Sequence, residues 1–256
     1  MTTSLDIVIP VLNEEAGLAA SVGKLRDFLS ERMGDYRWRI VVADNGSSDA
    51  TPEIGKRLSG EDERIGYVRL EQRGRGRALS RAWRESEADI VGYMDVDLST
   101  DLDALPALVE AVRSEGYDVA VGSRLRPGAR VTGRPFRREL VSRAYSAVFR
   151  SMFLTGFRDA QCGFKAVTRR VVDDVVPLVK DTGWFFDTEL LILAEKNGYR
   201  VKEVPVTWTD DPDSRVKLVG TAYGDMMGLL RLRLGGLRKA SMVLRSDYRT
   251  ADDERP

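Results

Sequence analysis

The sequence predicts an α/β domain built on a mainly parallel sheet with helices on both faces. Short apolar runs of strand length alternate with stretches of helical periodicity through about the first 125 residues. This alternation implies right-handed crossovers between parallel strands. In addition, polar residues follow several of the apolar runs directly, as expected where strands end at the ligand-binding edge of such a sheet.

The elements of the first half follow from local patterns. Residues 5–9 form an apolar run that Pro10 ends, and Asn13 is a candidate cap for the following helix. That helix has apolar residues spaced for one face, at Leu18, Val22, Leu25 and Phe28/Leu29. By the same patterns we predict strands at 38–43, 65–70, 90–94 and 119–121, and helices at about 50–58, from 74 onward and at 105–113.

The second half has fewer regular signals. Residues 136–153 predict an amphipathic helix, and a basic and apolar helical pattern covers 221–237. Residues 163–168 and 201–207 are typical of strands, another helix opens near 185, and the polar residues 246–256 predict a disordered tail. We therefore predict a single domain over 1–240, with a first half at 1–125 and a second half at 126–240.

Composition excludes several kinds of chemistry. The chain has no histidine, which removes histidine-based triads, imidazole metal ligands and histidine general bases. The single Cys162 cannot form an internal disulfide, so we expect a reducing cytoplasm. No stretch approaches the roughly 20 apolar residues of a membrane span. We also expect no signal peptide, because the first strand begins within five residues of Met1.

The net charge of zero conceals two basic blocks. Residues 124–150 hold eight arginines against one acid, and residues 215–245 hold seven basic residues against one acid. Such blocks favour an anionic partner that meets one face of the protein. Solvated helix faces are the alternative explanation.

Two carboxylates, Asp95 and Asp97, leave the predicted strand at 90–94 one residue apart. Oxygen ligands in this arrangement suit a hard divalent cation, and such a cation can bridge a diphosphate. Asp44 and Arg124 follow two other strands, so all four residues are predicted at the same edge of the sheet.

Motifs along the chain resemble glycosyltransferase family 2, whose members have the GT-A fold. The first half carries Pro10-Val11-Leu12-Asn13-Glu14-Glu15, Asp44-Asn45-Gly46-Ser47 and Asp95-Val96-Asp97-Leu98-Ser99. The second half carries Asp159 to Lys165, Trp184 to Glu189 and Ser214-Arg215-Val216-Lys217, which are similar to motifs of the polyprenyl-phosphate sugar synthases. The resemblance covers about residues 5–235 and implies an inverting glycosyltransferase.

The resemblance also implies roles for individual residues. Residues implied to bind a nucleotide-sugar donor are Pro10, Leu12, Glu14, Asp44, Arg75, Asp95, Val96, Arg124, Arg215 and Lys217. Asp95 and Asp97 would hold Mg²⁺ or Mn²⁺, which stabilises the charge of the departing diphosphate. The sequence leaves open which of the two aspartates binds the metal directly.

The acceptor determines what the second half must do. The resemblance implies catalytic roles for Asp97, Asp187 and Arg124, and acceptor-binding roles for Gln161, Lys165 and Glu189. A lipid monophosphate, with a second pKa of about 6, is largely a dianion at neutral pH and needs orientation and charge neutralisation rather than a base. A hydroxyl acceptor requires a carboxylate base, with Asp187 and Glu189 as candidates and Asp159 behind them.

We therefore expect transfer of mannose or glucose from a GDP- or UDP-sugar to dolichyl or undecaprenyl phosphate. The two amphipathic segments predict peripheral contact with the cytoplasmic face of a membrane, directly or with a partner membrane protein. No nucleic-acid partner is expected. Two alternatives remain open: a family 2 transferase that acts on a soluble or glycan hydroxyl, and a nucleotide-sugar-binding module without catalytic activity.

Overall fold

A computed structural model describes residues 2–210, 218–237 and 240 of the chain. Within these residues the chain forms nine strands: β1 (Ser4–Val11), β2 (Arg37–Asp44), β3 (Ile65–Arg69), β4 (Ile90–Met94), β5 (Val119–Ser123), β6 (Arg130–Thr132), β7 (Phe164–Thr168), β8 (Val201–Pro205) and β9 (Thr207–Thr209). Of these, β6 was not predicted. The helices are α1 (Leu18–Arg32), α2 (Thr51–Glu61), α3 (Arg75–Glu85), α4 (Leu105–Arg113), α5 (Phe136–Phe153), α6 (Arg169–Asp174), α7 (Phe186–Lys196) and α8 (Leu218–Arg231).

Seven strands form the central sheet, in the order β3-β2-β1-β4-β7-β5-β8. All neighbouring pairs are parallel except those of β7, which runs antiparallel to both β4 and β5. The predicted mainly parallel sheet is therefore confirmed. Because β7 is reversed, its first residues lie at the edge where β4 and β5 end. The β4–β7 register places Lys165 opposite Tyr93, two residues before Asp95.

The core lies on the two faces of this sheet. Every residue of β4 and β5 is buried, as expected for central strands covered on both sides. The predicted apolar face of α1 is confirmed, because Leu18, Val22, Leu25 and Leu29 are all buried. The prediction of Asn13 as the cap of α1 is wrong: this helix begins five residues later, behind Gly17. Asn13 instead has a left-handed backbone (φ 56°).

In the second half, α5 has the predicted bounds, whereas two other predictions need correction. The strand predicted at 201–207 is two strands: β8 extends the central sheet, and β9 pairs with β6 in a separate two-stranded sheet. The helix predicted at 221–237 begins earlier, at Leu218, and passes into a π-helical turn over 232–236. The tail predicted at 246–256 lies outside the described residues.

Candidate functional site

The carboxyl ends of β1, β2, β4 and β5 bring the predicted donor residues to one edge of the sheet. Asp44 ends β2 opposite Val11 of β1, so the half-buried Pro10 and Leu12 flank it. Asp95 directly follows β4, and Arg124 directly follows β5. These positions confirm that the strand ends converge.

Asp44 braces the loop that follows β2. Its fully buried carboxylate accepts hydrogen bonds from the Ser47 backbone N–H (2.9 Å), the Tyr67 hydroxyl (2.7 Å) and the Arg69 guanidinium (3.3 Å). A side chain of this loop in turn holds the segment after β1, since the Asn13 N–H donates to the Ser47 hydroxyl (3.0 Å). Asp44 therefore holds its loop in place against the end of β1.

Asp95 and Asp97 occupy the turn after β4 and differ in exposure. Asp97 is exposed and accepts a hydrogen bond from the Ser99 backbone N–H (2.9 Å), whereas the Asp95 side chain is 42% exposed. Gly163 lies directly against Asp95: a Cβ atom on Gly163 would be 1.7 Å from Asp95 Oδ2. Only a glycine leaves room for the Asp95 carboxylate in this position.

One arginine connects this turn to the start of α7. Arg75 Nη2 lies 2.5 Å from Asp95 Oδ1, and Arg75 Nη1 lies 2.7 Å from Asp187 Oδ2. The Arg75 guanidinium lies over the ring of Tyr93 (4.9 Å) and over the ring of Trp184 (5.0 Å), and the Arg75 side chain is only 11% exposed. Arg75, which the resemblance implies as a donor-binding residue, thus links two candidate site carboxylates.

The glycine next to Arg75 makes this link possible. A Cβ atom on Gly76 would lie 2.5 Å from the Cβ atom of Phe186, so α3 approaches the start of α7 more closely than any other residue would permit. Since Phe186 precedes Asp187, the close approach sets the distance from Arg75 to Asp187. The pattern Gly74-Arg75-Gly76 therefore serves helix-to-helix packing at the site.

Asp187 is buried and held by two further groups. Lys165 Nζ lies 2.9 Å from Asp187 Oδ1, and the Tyr93 hydroxyl donates a hydrogen bond to the same oxygen. Burial alone would raise the pKa of Asp187, but the charges of Lys165 and Arg75 outweigh it and hold the pKa below its usual value. The Lys165 side chain has no exposed surface in this arrangement, so its contacts are with the protein interior.

Arg124 is bound to Asp159 in the loop before β7. Both guanidinium and backbone N–H groups of Arg124 donate to the buried Asp159 carboxylate, at 2.8 to 2.9 Å. Burial by itself would raise the pKa of Asp159. The charge and hydrogen bonds of Arg124 lower it by a larger amount, so the pKa of Asp159 is below its usual value. The Trp208 ring lies under the guanidinium groups of both Arg124 (5.4 Å) and Arg134 (5.6 Å).

Strand β9 ties this arginine cluster to the turn that carries Asp97. The Thr209 N–H donates to the Ser99 carbonyl (2.9 Å), and the Asp101 N–H donates to the Thr207 carbonyl (2.9 Å). Trp208 lies between these two contacts. The two-stranded sheet thus connects the donor half of the site to the second half.

The other predicted acceptor residues contact α8. Gln161 Nε2 donates to Asp225 Oδ2 (2.5 Å). Glu189 is buried, and its carboxylate accepts from Arg231 (2.7 Å) and from the Asp181 backbone N–H (2.8 Å). These side chains join the helix to the site rather than point into solvent. Arg215 and Lys217 lie outside the described residues.

The acidic pair fits a metal that arrives with its substrate. No group of three or more His, Cys, Asp or Glu side chains is gathered for a metal ion within the part of the chain that the structure describes. Asp95 and Asp97 would therefore be the acidic ligands there. Mg²⁺ is commonly held by one or two carboxylates together with phosphate oxygens and water, so this donor set suits a cation bound to a diphosphate.

Three residues of the site received no individual role from the sequence, namely Tyr93, Trp184 and Gly163, although the last two lie in motifs that carry the resemblance. Tyr93 was assigned to the apolar run of β4, although a tyrosine in a buried strand usually finds a hydrogen-bond partner for its hydroxyl. Trp184 is 47% exposed beside Arg75, and the signal for it in the sequence was its place directly before the predicted helix that carries Asp187. The contact of Gly163 with Asp95 had no sequence signal, because it depends on the antiparallel placement of β7.

Solved structures identify the fold. Glucosyl-3-phosphoglycerate synthase from Mycobacterium tuberculosis, solved in complex with Mn²⁺, uridine-diphosphate and phosphoglyceric acid, matches with a TM-score of 0.69 at 23% identity. The match covers 91% of this chain and 79% of that one. The structure is thus a GT-A fold of the glycosyltransferase type, as predicted.

The chain belongs to glycosyl transferase family 2, whose model matches residues 6–176. Among curated relatives, glycosyltransferase AglD of Haloferax volcanii is 40% identical over 89% of this chain, and undecaprenyl-phosphate mannosyltransferase of Micrococcus luteus is 29% identical over 85%. Dolichyl-phosphate beta-glucosyltransferase of Saccharomyces cerevisiae is 26% identical over 84%. The matched region spans 36%, 88% and 69% of these relatives, respectively.

The lengths and apolar character of the helices bear on contact with a membrane. Among the described residues, none of the helices combines the length and the apolar character that crossing a bilayer requires.

Proposed function

We propose that this protein is an inverting, metal-dependent transferase that moves a hexose from a nucleotide diphosphate sugar to polyprenyl phosphate. The relatives that are named as dolichyl-phosphate and undecaprenyl-phosphate sugar transferases support this acceptor. One structural observation carries the proposal further: the carboxylates that a hydroxyl acceptor would need as bases are already engaged with cations.

Each candidate base is buried and ion-paired. Asp187 contacts two cations, Asp159 contacts one arginine through both of its oxygens, and Glu189 contacts another arginine. The pKa values of Asp187 and Asp159 are below normal, which makes both carboxylates weak proton acceptors. This arrangement favours a nucleophile that carries no proton to be removed, and a phosphate monoester dianion is such a nucleophile.

In the proposed reaction a phosphate oxygen of the acceptor attacks the anomeric carbon of the sugar. The bond from that carbon to the diphosphate oxygen breaks, and the nucleoside diphosphate leaves with the bonding electrons, so the configuration inverts and no proton moves. A metal held by Asp95 and Asp97 would stabilise charge on the leaving diphosphate. Arg124, whose guanidinium Asp159 orients at the same edge of the sheet, would neutralise phosphate charge there.

Within this proposal, the residues predicted to bind the acceptor take supporting roles. Lys165 holds Asp187, and Asp187 in turn holds Arg75 next to the metal ligand Asp95. Gln161 fixes the loop before β7 to α8. We retain Pro10, Leu12, Glu14, Asp44 and Val96 as the proposed lining of the donor pocket, and Arg215 and Lys217 as proposed phosphate ligands.

We further propose that the protein meets the membrane through α5 and α8. The first turns of α5 expose Phe136, Leu140 and Val141, whereas its later Phe149 and Phe153 are buried in the core. Helix α8 and the turn after it expose further large apolar side chains: Tyr223, Met226, Met227, Leu230 and Leu234. Exposed apolar side chains beside arginines are typical of helices that lie in the membrane interface.

A vesicle sedimentation assay tests this surface. The double variant Phe136→Ser/Leu140→Ser should lose binding to vesicles that contain anionic lipid. Leu154→Ser, which alters an exposed leucine at the opposite end of α5, should bind as the unaltered protein does. Equal sedimentation of all three proteins would contradict the proposed contact.

A transfer assay tests the acceptor. Radiolabelled UDP-glucose and GDP-mannose are each incubated with the protein, Mn²⁺ and a short polyprenyl phosphate, with the corresponding polyprenol as the matched control. We expect label on the polyprenyl phosphate and none on the polyprenol. A parallel reaction contains soluble sugars as acceptors, and label transferred only to those sugars would refute the lipid acceptor. Nucleotide binding without transfer in any reaction would favour a non-catalytic module. Thermal-shift titration with UDP and GDP, with and without Mn²⁺, identifies the donor nucleotide.

A further inference from the structure

Arg75 forms an ion pair with Asp95, one of the two candidate metal ligands. Its Nη2 atom lies 2.5 Å from Asp95 Oδ1, and the other carboxylate oxygen of Asp95 lies against Gly163. An arginine stays protonated throughout the accessible pH range, so this contact places a permanent positive charge on Asp95. A divalent cation that approaches Asp95 therefore meets a cation already bound there.

The same guanidinium is also bound at its other end. Its Nη1 atom contacts Asp187 Oδ2, and Asp187 is fixed by the buried Lys165 and by the Tyr93 hydroxyl. Asp187 thus offers Arg75 a second, immobile anionic partner. Because Asp187 also attracts the guanidinium, it weakens the contact between Arg75 and Asp95.

We propose that Arg75 is a positioning residue that competes with the divalent metal for Asp95, and that Asp187 moderates this competition. The inference rests on the proposed function, in which Asp95 and Asp97 hold the metal. As a consequence the metal binds weakly on its own. Binding becomes tight when a diphosphate supplies other anionic oxygens to Arg75, which couples metal binding to donor binding.

The test measures Mn²⁺ affinity in the absence of nucleotide, by electron paramagnetic resonance of free Mn²⁺ with the full chain. Arg75→Met removes the competing charge, and we expect Mn²⁺ to bind at least about fivefold more tightly, at the lower end of typical coupling between two binding events. Asp187→Asn removes the second partner of Arg75 and should shift the affinity in the opposite direction. Arg77→Met, two residues along α3, alters an arginine whose hydrogen bonds are to Gln72 and Thr182 and should leave the affinity unchanged.

The opposite shifts separate this role from a structural one, because a partly unfolded variant would bind Mn²⁺ more weakly in both cases. Unchanged or weaker binding by Arg75→Met would overturn the inference. If that variant does not fold, Arg75→Gln decides: the amide keeps hydrogen-bond donors but carries no charge, so an affinity no higher than that of the unaltered protein overturns the inference. The transfer assay on the unaltered protein reports separately on the proposed function.

Discussion

Replacement of Lys165 by methionine tests whether the buried charge network holds Asp187. The Lys165 side chain is fully buried, and its Nζ atom lies 2.9 Å from Asp187 Oδ1, 3.0 Å from the Tyr93 hydroxyl and 2.6 Å from the Cys162 carbonyl. Methionine is similar in length but has no donor. The variant would therefore leave a buried carboxylate with Arg75 as its remaining cation and would remove the donor to a buried carbonyl.

Breaking a buried ion pair from one side typically costs about 3–5 kcal/mol. Arg75 continues to neutralise Asp187, so we expect the free energy of unfolding to fall by about 3 kcal/mol, the lower end of that range. The loss should depend on pH. Although burial raises the pKa of Asp187, Lys165 and Arg75 lower it below the unfolded value, so the ionised carboxylate stabilises the fold above that value. The difference between the two proteins should therefore be present at neutral pH and shrink below about pH 4.

Urea denaturation followed by tryptophan fluorescence measures this difference at neutral and at acidic pH. Lys202→Met is the matched control, because Lys202 pairs with Glu115 at the surface with 30% of its side chain exposed. Such pairs contribute under about 1 kcal/mol. If the free energy of unfolding of Lys165→Met lies within about 1 kcal/mol of that of the unaltered protein, the loss is no larger than for a surface ion pair. That result would refute the claim that Lys165 holds a buried charge.

Three further predictions concern the site and its support. Gly163→Ala should displace Asp95 and abolish Mn²⁺ binding, whereas Gly23→Ala, whose new Cβ meets no atom within 4 Å, should bind normally; equal binding would contradict the close contact. Asp97→Asn should abolish transfer without unfolding the protein, and unchanged turnover would rule out its metal role. Burial raises the pKa of Asp225 to about 7, so its ionisation disfavours folding. The free energy of unfolding of the unaltered protein should therefore fall as the pH rises from about 4 towards 7. Urea unfolding curves at pH 5 and pH 8 measure this fall, which should be smaller for Asp225→Asn. Identical losses would contradict this assignment.

Most of the fold was predictable because its signals are local. The apolar face of α1 and the bounds of α5 depend on residues three or four positions apart, and the periodicity reports them directly. The predictions failed where contacts between residues distant in the sequence determine the structure. The sequence predicts one strand over residues 201–207, but β9 leaves the central sheet to pair with β6 and to hold the turn at Ser99.

The convergence of the strand-end residues was predictable, whereas the pairing of the site side chains was not. Asp44, Asp95 and Arg124 follow strands in the sequence, so their convergence follows from parallel topology. The partners of Lys165 could not be foreseen, because they depend on β7 running antiparallel beside β4, and a five-residue apolar strand carries no signal of its direction.

The sequence by itself therefore determined the α/β class, the edge of the sheet where the acidic pair lies, and the absence of histidine chemistry. The alternation of strands and helices and the chemistry of each residue are local properties of the sequence, so they can be inferred without the tertiary structure. Only the tertiary structure decided that Arg75 bridges Asp95 and Asp187 and that Lys165 is a buried counter-ion. Those charges come from α3, β4, β7 and α7, and their ion pairs depend on distances that exist only once these elements are packed together.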